Sequence, residues 1–175
     1  MVREILCGLD CRVILAPGRS LGADAGVLLS RVIEVKYTEG QQFVVIDAAM
    51  NDILRPALYG AWHPIHPVCK PAPNAARDTV DIVGPICESG DGMGRSRPMS
   101  YLSPGDIISV GVAGAYGAVM SSNYNTRPPA AEVMVRGNEI AIVRPRIHVD
   151  TLIAQDSLPM WLKGQQPVFK GKGAA

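Results

Sequence analysis

Short runs in which Val and Ile alternate with polar residues recur along this chain. RVIEVK (31 to 36), FVVID (43 to 47), VDIV (80 to 83), IISVGVA (107 to 113), EVMVR (132 to 136) and EIAIVR (139 to 144) are bounded by Gly, Pro, Asn or Asp. β-Branched residues suit a pleated, half-buried surface, so the pattern predicts six strands. Gly137-Asn138 separates the last two as a two-residue hairpin turn, and Glu39-Gly40 turns the chain between the first two. Helical pieces are expected at about 51 to 61, 115 to 122 and 150 to 156. With few aromatic residues and no strand–helix–strand alternation, this is a mainly β fold: an antiparallel barrel or sandwich with short helices.

The first twenty residues do not fit that pattern. VREILCGL is helix-like, RVIL at 12 to 15 reads as a short apolar strand, and PGRS opens a loop toward GADAGVLLS. Helix, buried strand and loop in that order resemble the last unit of a parallel α/β system. A parallel strand needs neighbours reached by crossover helices, and nothing earlier in the chain supplies them. Either the strand joins the β domain or the chain is the tail of something longer; the second reading is favoured.

Composition narrows the function. A chain of 175 residues can bury about 70% of its unfolded surface and needs neither disulfides nor metal for stability. Lys plus Arg at 17 against Asp plus Glu at 16 leaves no diffuse basic field, which argues against nucleic acid as a partner. No apolar run approaches the ~18 residues of a membrane helix, and MVREILCGLD lacks the basic head and long apolar stretch of a leader. A soluble, cytoplasmic protein is expected. Cys7, Cys11, Cys69 and Cys87 lack the paired spacing of a zinc set and read as free thiols.

Four stretches carry candidate chemistry. In GPICESGD, Gly84 and Pro85 disfavour helix, and Ser89, Gly90 and Asp91 turn the chain away, so Cys87 and Glu88 are presented at a loop tip. In LRPALY, Arg55 and Tyr59 are four apart and share a helical face, where a guanidinium and a phenol could clamp one carboxylate. Arg19 follows Pro17-Gly18 in a loop whose backbone N–H groups, that of Gly18 among them, could meet a phosphate. Tyr116 stands between glycines in GAYG, where small neighbours allow a ligand close approach. Asn123, Tyr124, Asn125 and Arg127 read as loop organisers, and His63, His66 and His148 as structural.

These segments, together with VIDAAMNDILRPALYGAWHPI, DIVGPICESGD, GDIISVGVAGAYGAVMSSNYNTRPPAAEVMV and VDTLIAQD, fall in the order seen in diaminopimelate decarboxylases, which they resemble over nearly the whole chain. CESGD is shared with the wider group of pyridoxal-phosphate decarboxylases that includes the ornithine and arginine enzymes; MNDILRPALY favours the diaminopimelate branch. The resemblance implies a C-terminal β domain behind a (β/α)8 barrel. On that basis residues 1–20 are a remnant of the barrel end, 21–160 the β domain and 161–175 a tail. It implies conversion of meso-diaminopimelate to L-lysine and carbon dioxide with pyridoxal phosphate as cofactor. Gly18, Arg19 and Tyr116 are implied to hold the cofactor, and Arg19, Arg55, Tyr59, Glu88 and Tyr116 the amino-acid substrate, with Cys87 as catalytic proton donor. The CESGD loop is implied to enter the site of the other subunit of a homodimer. Two departures stand out: Ala16 replaces the usual Glu before PGR, and the family's Schiff-base lysine lies in the barrel, which Lys36, Lys70, Lys163, Lys170 and Lys172 do not match.

The chain alone is therefore expected to be inactive and to need a barrel partner. It could be a truncated gene product, an expressed piece or half of a split enzyme. A non-catalytic β-barrel binding or dimerisation module is the alternative. A Cys-His hydrolase pairing Cys87 with His63 or His66 is weakest, since no oxyanion-hole signature accompanies it.

Overall fold

The computed structural model describes residues 2–7 and 12–163. They form two compact units, one up to Ser121 and one from Ser122. The first contains α1 (Val2–Leu6), β1 (Leu28–Thr38), β2 (Gln41–Ile46), α2 (Arg55–Tyr59), β3 (Ile65–Pro67), β4 (Arg77–Val83), β5 (Gly92–Ser100) and β6 (Ile107–Val110). The second contains β7 (Glu132–Arg136), β8 (Glu139–Arg144) and α3 (Val149–Ile153). No described helix is long and apolar enough to cross a membrane.

The six strands of the first unit form one sheet in the order β3-β6-β1-β2-β4-β5. β2 and β4 run parallel and every other neighbouring pair is antiparallel. The sheet curls until its edges nearly meet: a Cβ built on Gly94 of β5 would lie 3.3 Å from Ile65 Cδ1 of β3. Alternation sets the inside of this near-barrel, as in β2, where Gln42, Val44 and Ile46 are buried and Gln41, Phe43 and Val45 are not. Val32, Val44, Ile46, Ile82, Ile108 and Val110 are each 1% exposed or less. Burying one such side chain contributes about 1.5–3 kcal/mol.

The predicted turn between β1 and β2 forms as expected. Glu39 at φ 50° and Gly40 at φ 82° give the left-handed pair that matches strand twist, with Thr38 opposite Gln41. Beyond this turn, a second device brings the ends of these strands together. Ser30 Oγ donates to Asp47 Oδ1 at 2.6 Å and accepts the Ala48 N–H at 2.9 Å, which aims residues 47–52 toward α2.

Several expectations are corrected. β3 and β5 were not predicted: β3 is three residues long and closes on Pro67, and β5 (GMGRSRPMS) replaces alternation with glycines, arginines and Pro98. Both are edge strands, where such residues are tolerated. The helix expected at 51 to 61 contracts to α2, because Pro56 belongs to a first turn and the Asp52 carboxylate takes the Ala49 N–H at 3.0 Å in a separate turn. RVIL forms no strand; Val13, Ile14 and Leu15 are 48%, 78% and 74% exposed. A strand without a ladder partner leaves its backbone groups unpaired, so none forms here. The runs at 132 to 144, counted among the six strands of one barrel or sandwich, pair among the described residues with each other in a two-stranded sheet. The tail lies outside the described residues from 164 onward.

Candidate functional site

Helix α2 is a single turn with definite ends. Pro56 fills a first-turn position where no N–H is needed, and Gly60 at φ 61° closes the other end by donating to the Pro56 carbonyl at 3.0 Å. Arg55 and Tyr59 therefore stand one turn apart on one face. The loop bearing Gly18 and Arg19 arrives through the 3₁₀ turn Ala23–Ala25, whose Ala23 N–H donates to the Arg19 carbonyl at 3.0 Å.

The GAYG segment is clamped against that turn. Gly114 N–H donates to the Ala23 carbonyl at 3.0 Å, and Ala113 N–H to the Gly26 carbonyl at 2.9 Å. A Cβ on Gly114 would collide with the Gly22 carbonyl oxygen and lie 2.8 Å from the Gly26 nitrogen, so only glycine permits this approach. Tyr116 follows at φ 59°, a left-handed conformation that is uncommon outside glycine and recurs at functional sites.

These three segments converge. Gly18, Arg19, Arg55, Tyr59, Tyr116 and Met120 line one open cavity of about 290 Å³. Five of these six residues are the ones the sequence marked on three separate motifs. Two guanidinium groups and two phenols thus face a common space, and among the described residues neither Arg19 nor Arg55 has a carboxylate partner. Such a set is suited to anions, with bidentate capture of carboxylate or phosphate by arginine.

Cys87 and Glu88 do not line this cavity. They are exposed on the loop between β4 and β5. The Glu88 carboxylate accepts the Gly90 N–H at 3.2 Å, and Ile86 anchors the loop at 7% exposure. Asp91, 5% exposed, organises the turn: its carboxylate accepts the Ile86 N–H at 2.9 Å and the Met50 N–H at 2.7 Å.

His63 is also more than a packing residue. It is fully buried, with Nδ1 2.9 Å from the Gly111 carbonyl oxygen and Nε2 3.1 Å from Arg55 Nη1. Burial holds its pKa below the usual 6.5; the Gly111 bond opposes this, and the charges of Arg55, Arg19 and Arg97 add to the lowering. Both ring nitrogens are thus occupied, which removes His63 as a base for Cys87. Arg97 of β5 lies 4.7 Å from the centre of the Trp62 ring, and its partial burial lowers its own pKa. From sequence, Asp91 reads as a turn residue of the CESGD loop and His63 as structural or, in the weakest reading, as a base for Cys87; Arg97 is not singled out, and none of the three lines the pocket.

A strand-built domain with an open cationic pocket is the class these features define. The model of the pyridoxal-dependent decarboxylase C-terminal sheet domain matches residues 19–114, and the chain belongs to that family. It is 48% identical over 162 residues to diaminopimelate decarboxylase of Zymomonas mobilis, covering 93% of this chain and 38% of that relative. It is 51% identical over 157 residues to the Pseudomonas aeruginosa enzyme, covering 90% of this chain and 37% of that one. Among solved structures, diaminopimelate decarboxylase from Helicobacter pylori complexed with L-lysine superposes with a TM-score of 0.77 at 38% identity, over 88% of this chain and 37% of that chain. The chain thus spans less than two fifths of the length of these relatives.

Pyridoxal phosphate is the cofactor of this family. The pocket fits its phosphate: a Cβ on Gly18 would touch the Tyr116 hydroxyl at 3.6 Å, so glycine leaves the backbone open beside a phenol donor, with Arg19 adjacent. Among the described residues, no lysine lines the pocket.

Proposed function

We propose that this chain provides the β-domain share of a diaminopimelate decarboxylase site, acting in the cytoplasm with a barrel portion that supplies the Schiff-base lysine. The observation that carries the reading is the meeting of Gly18, Arg19, Arg55, Tyr59 and Tyr116 in one cavity. Bound pyridoxal phosphate would supply the electron sink for loss of carbon dioxide. Gly18 and Tyr116 would hold its phosphate, with Arg19 adding charge. Arg55 and Tyr59 would hold the carboxylate at the end of diaminopimelate that does not react.

Decarboxylation at one end leaves the carboxylate and ammonium at the other intact, so the same contacts serve the product L-lysine. Cys87 and Glu88, exposed and outside the pocket of their own chain, would act in the site of a second subunit. There Cys87 would deliver a proton to the carbon that loses carbon dioxide, and Glu88 would meet the distal ammonium. The chain by itself would bind ligands of this class without turning them over.

The test is titration of the labelled chain with pimelate, the dicarboxylate of the same length without amino groups, followed by NMR. Shifts confined to Arg55, Tyr59, Arg19 and Tyr116, lost in Arg55→Ala, are expected. Saturable binding that leaves these residues unmoved would overturn the assignment.

A further inference from the structure

We propose that His63 is a positioning residue that fixes the Arg55 guanidinium for carboxylate binding through Nε2, and that protonation of the ring releases it. The inference rests on Arg55 as a carboxylate ligand and identifies what holds it in place. A carbonyl oxygen can only accept, so Nδ1, 2.9 Å from Gly111 O, carries the hydrogen. Nε2 is then a lone-pair acceptor, and the Arg55 Nη1–H donates to it at 3.1 Å.

Local backbone bonds leave the ring little freedom to reorient. Gly111 donates its own N–H to the carbonyl of Pro64, the residue after His63, at 2.8 Å, and the ring is fully buried. Val112 adopts φ 58° immediately after the accepting carbonyl. A β-branched residue is an outlier there, and such strain persists only where surrounding contacts over-determine it. The charges acting on the ring are those of Arg55 from α2, Arg19 from the loop at 17 to 20 and Arg97 from β5, all positive. Protonation would add a fourth positive charge to these three and turn Nε2 from an acceptor into a donor aimed at another donor. Neutral His63 orders Arg55; protonated His63 expels it.

The test uses the chain with ¹⁵N-labelled histidine and arginine. At neutral pH, His63 should carry its hydrogen on Nδ1, and the Arg55 Nη hydrogens should exchange slowly. On acidification, that protection should disappear with the same midpoint as His63 titration, below 6.5. His63→Gln, whose amide oxygen can still accept from Arg55, should keep Arg55 ordered and retain pimelate affinity. His63→Phe should lose both, with affinity falling at least about tenfold. Hydrogen on Nε2, or Arg55 exchange that ignores His63 titration, would overturn the proposal. If His63→Phe does not fold, the titration of the unmodified chain decides alone. Arg55 order that follows His63 without pimelate binding would support the positioning role and contradict the functional reading; pimelate binding with Arg55 indifferent to His63 would do the reverse.

Discussion

The carboxylate of Asp91 accepts the backbone N–H of Met50 at 2.7 Å, tying the loop that carries Cys87 and Glu88 to the segment that leads into α2. Its other oxygen takes the Ile86 N–H at 2.9 Å within the loop. One buried side chain thus sets the relation between this loop and the segment leading into α2.

Asp91→Ala should therefore leave the buried Ile86 N–H without its partner, at about 1–3 kcal/mol, and the half-buried Met50 N–H as well, at less. Asp91→Asn keeps one acceptor oxygen and should cost about half as much. Urea unfolding of the three proteins checks the order, and hydrogen exchange at Ile86 and Met50 should rise first. Equal stability for Asp91→Ala and the unmodified chain would show that the loop does not depend on this carboxylate.

Gly114→Ala should displace GAYG from the Ala23–Ala25 turn, since a Cβ there meets backbone on both sides. A loss of about 1–3 kcal/mol is expected, as for overpacking elsewhere. Tyr116 should move with the segment and weaken anion binding. Thermal unfolding and pimelate titration read the two effects separately; an unchanged Tm would contradict the close approach.

How much of this was legible in the sequence follows from what each feature depends on. β1, β2, β4, β6 and the hairpin β7–β8 announce themselves because Val and Ile alternate between turn residues. β5 is hidden: Arg95, Arg97 and Pro98 are tolerated only because the strand lies at a sheet edge, and edge position belongs to the tertiary structure. Arg55 and Tyr59 could be paired from spacing, as one helical turn fixes their relation. That Gly18, Arg19 and Tyr116 share their pocket depends on long-range contacts such as Gly114 N–H to the Ala23 carbonyl, and the family resemblance supplied it. His63 lies in the marked segment at 45 to 65 but reads there only as structural, because its partner Gly111 is 48 positions away.

Stability should depend on pH through His63. Its folded pKa lies below 6.5, so between that lowered value and 6.5 the unfolded chain binds more protons than the folded one. His63 therefore leaves stability undiminished above 6.5 and reduces it as pH falls through this window. Urea midpoints measured across the range should decline on the acid side, and less so in His63→Gln. A midpoint that rises on acidification, with no such difference, would contradict a buried neutral ring.

If a barrel portion is supplied, Cys87→Ala should lower kcat, whereas Glu88→Gln should chiefly raise KM, by the equivalent of about 1.5–3 kcal/mol for one charged hydrogen bond. A mixed dimer of one Cys87→Ala subunit and one subunit lacking the barrel lysine should recover a single working site only when both lesions fall in the same composite site. A mixture that stays dead with heterodimer shown to be present would remove the loop from the neighbouring site.

The most direct test of the central claim joins this chain to the upstream portion of the Zymomonas mobilis relative and measures carbon dioxide released from meso-diaminopimelate. The account predicts turnover by the cofactor-loaded fusion, loss of about tenfold or more in kcat/KM for Arg55→Ala, and no release by the chain alone. A folded, cofactor-loaded fusion that works equally well with Arg55→Ala would contradict it.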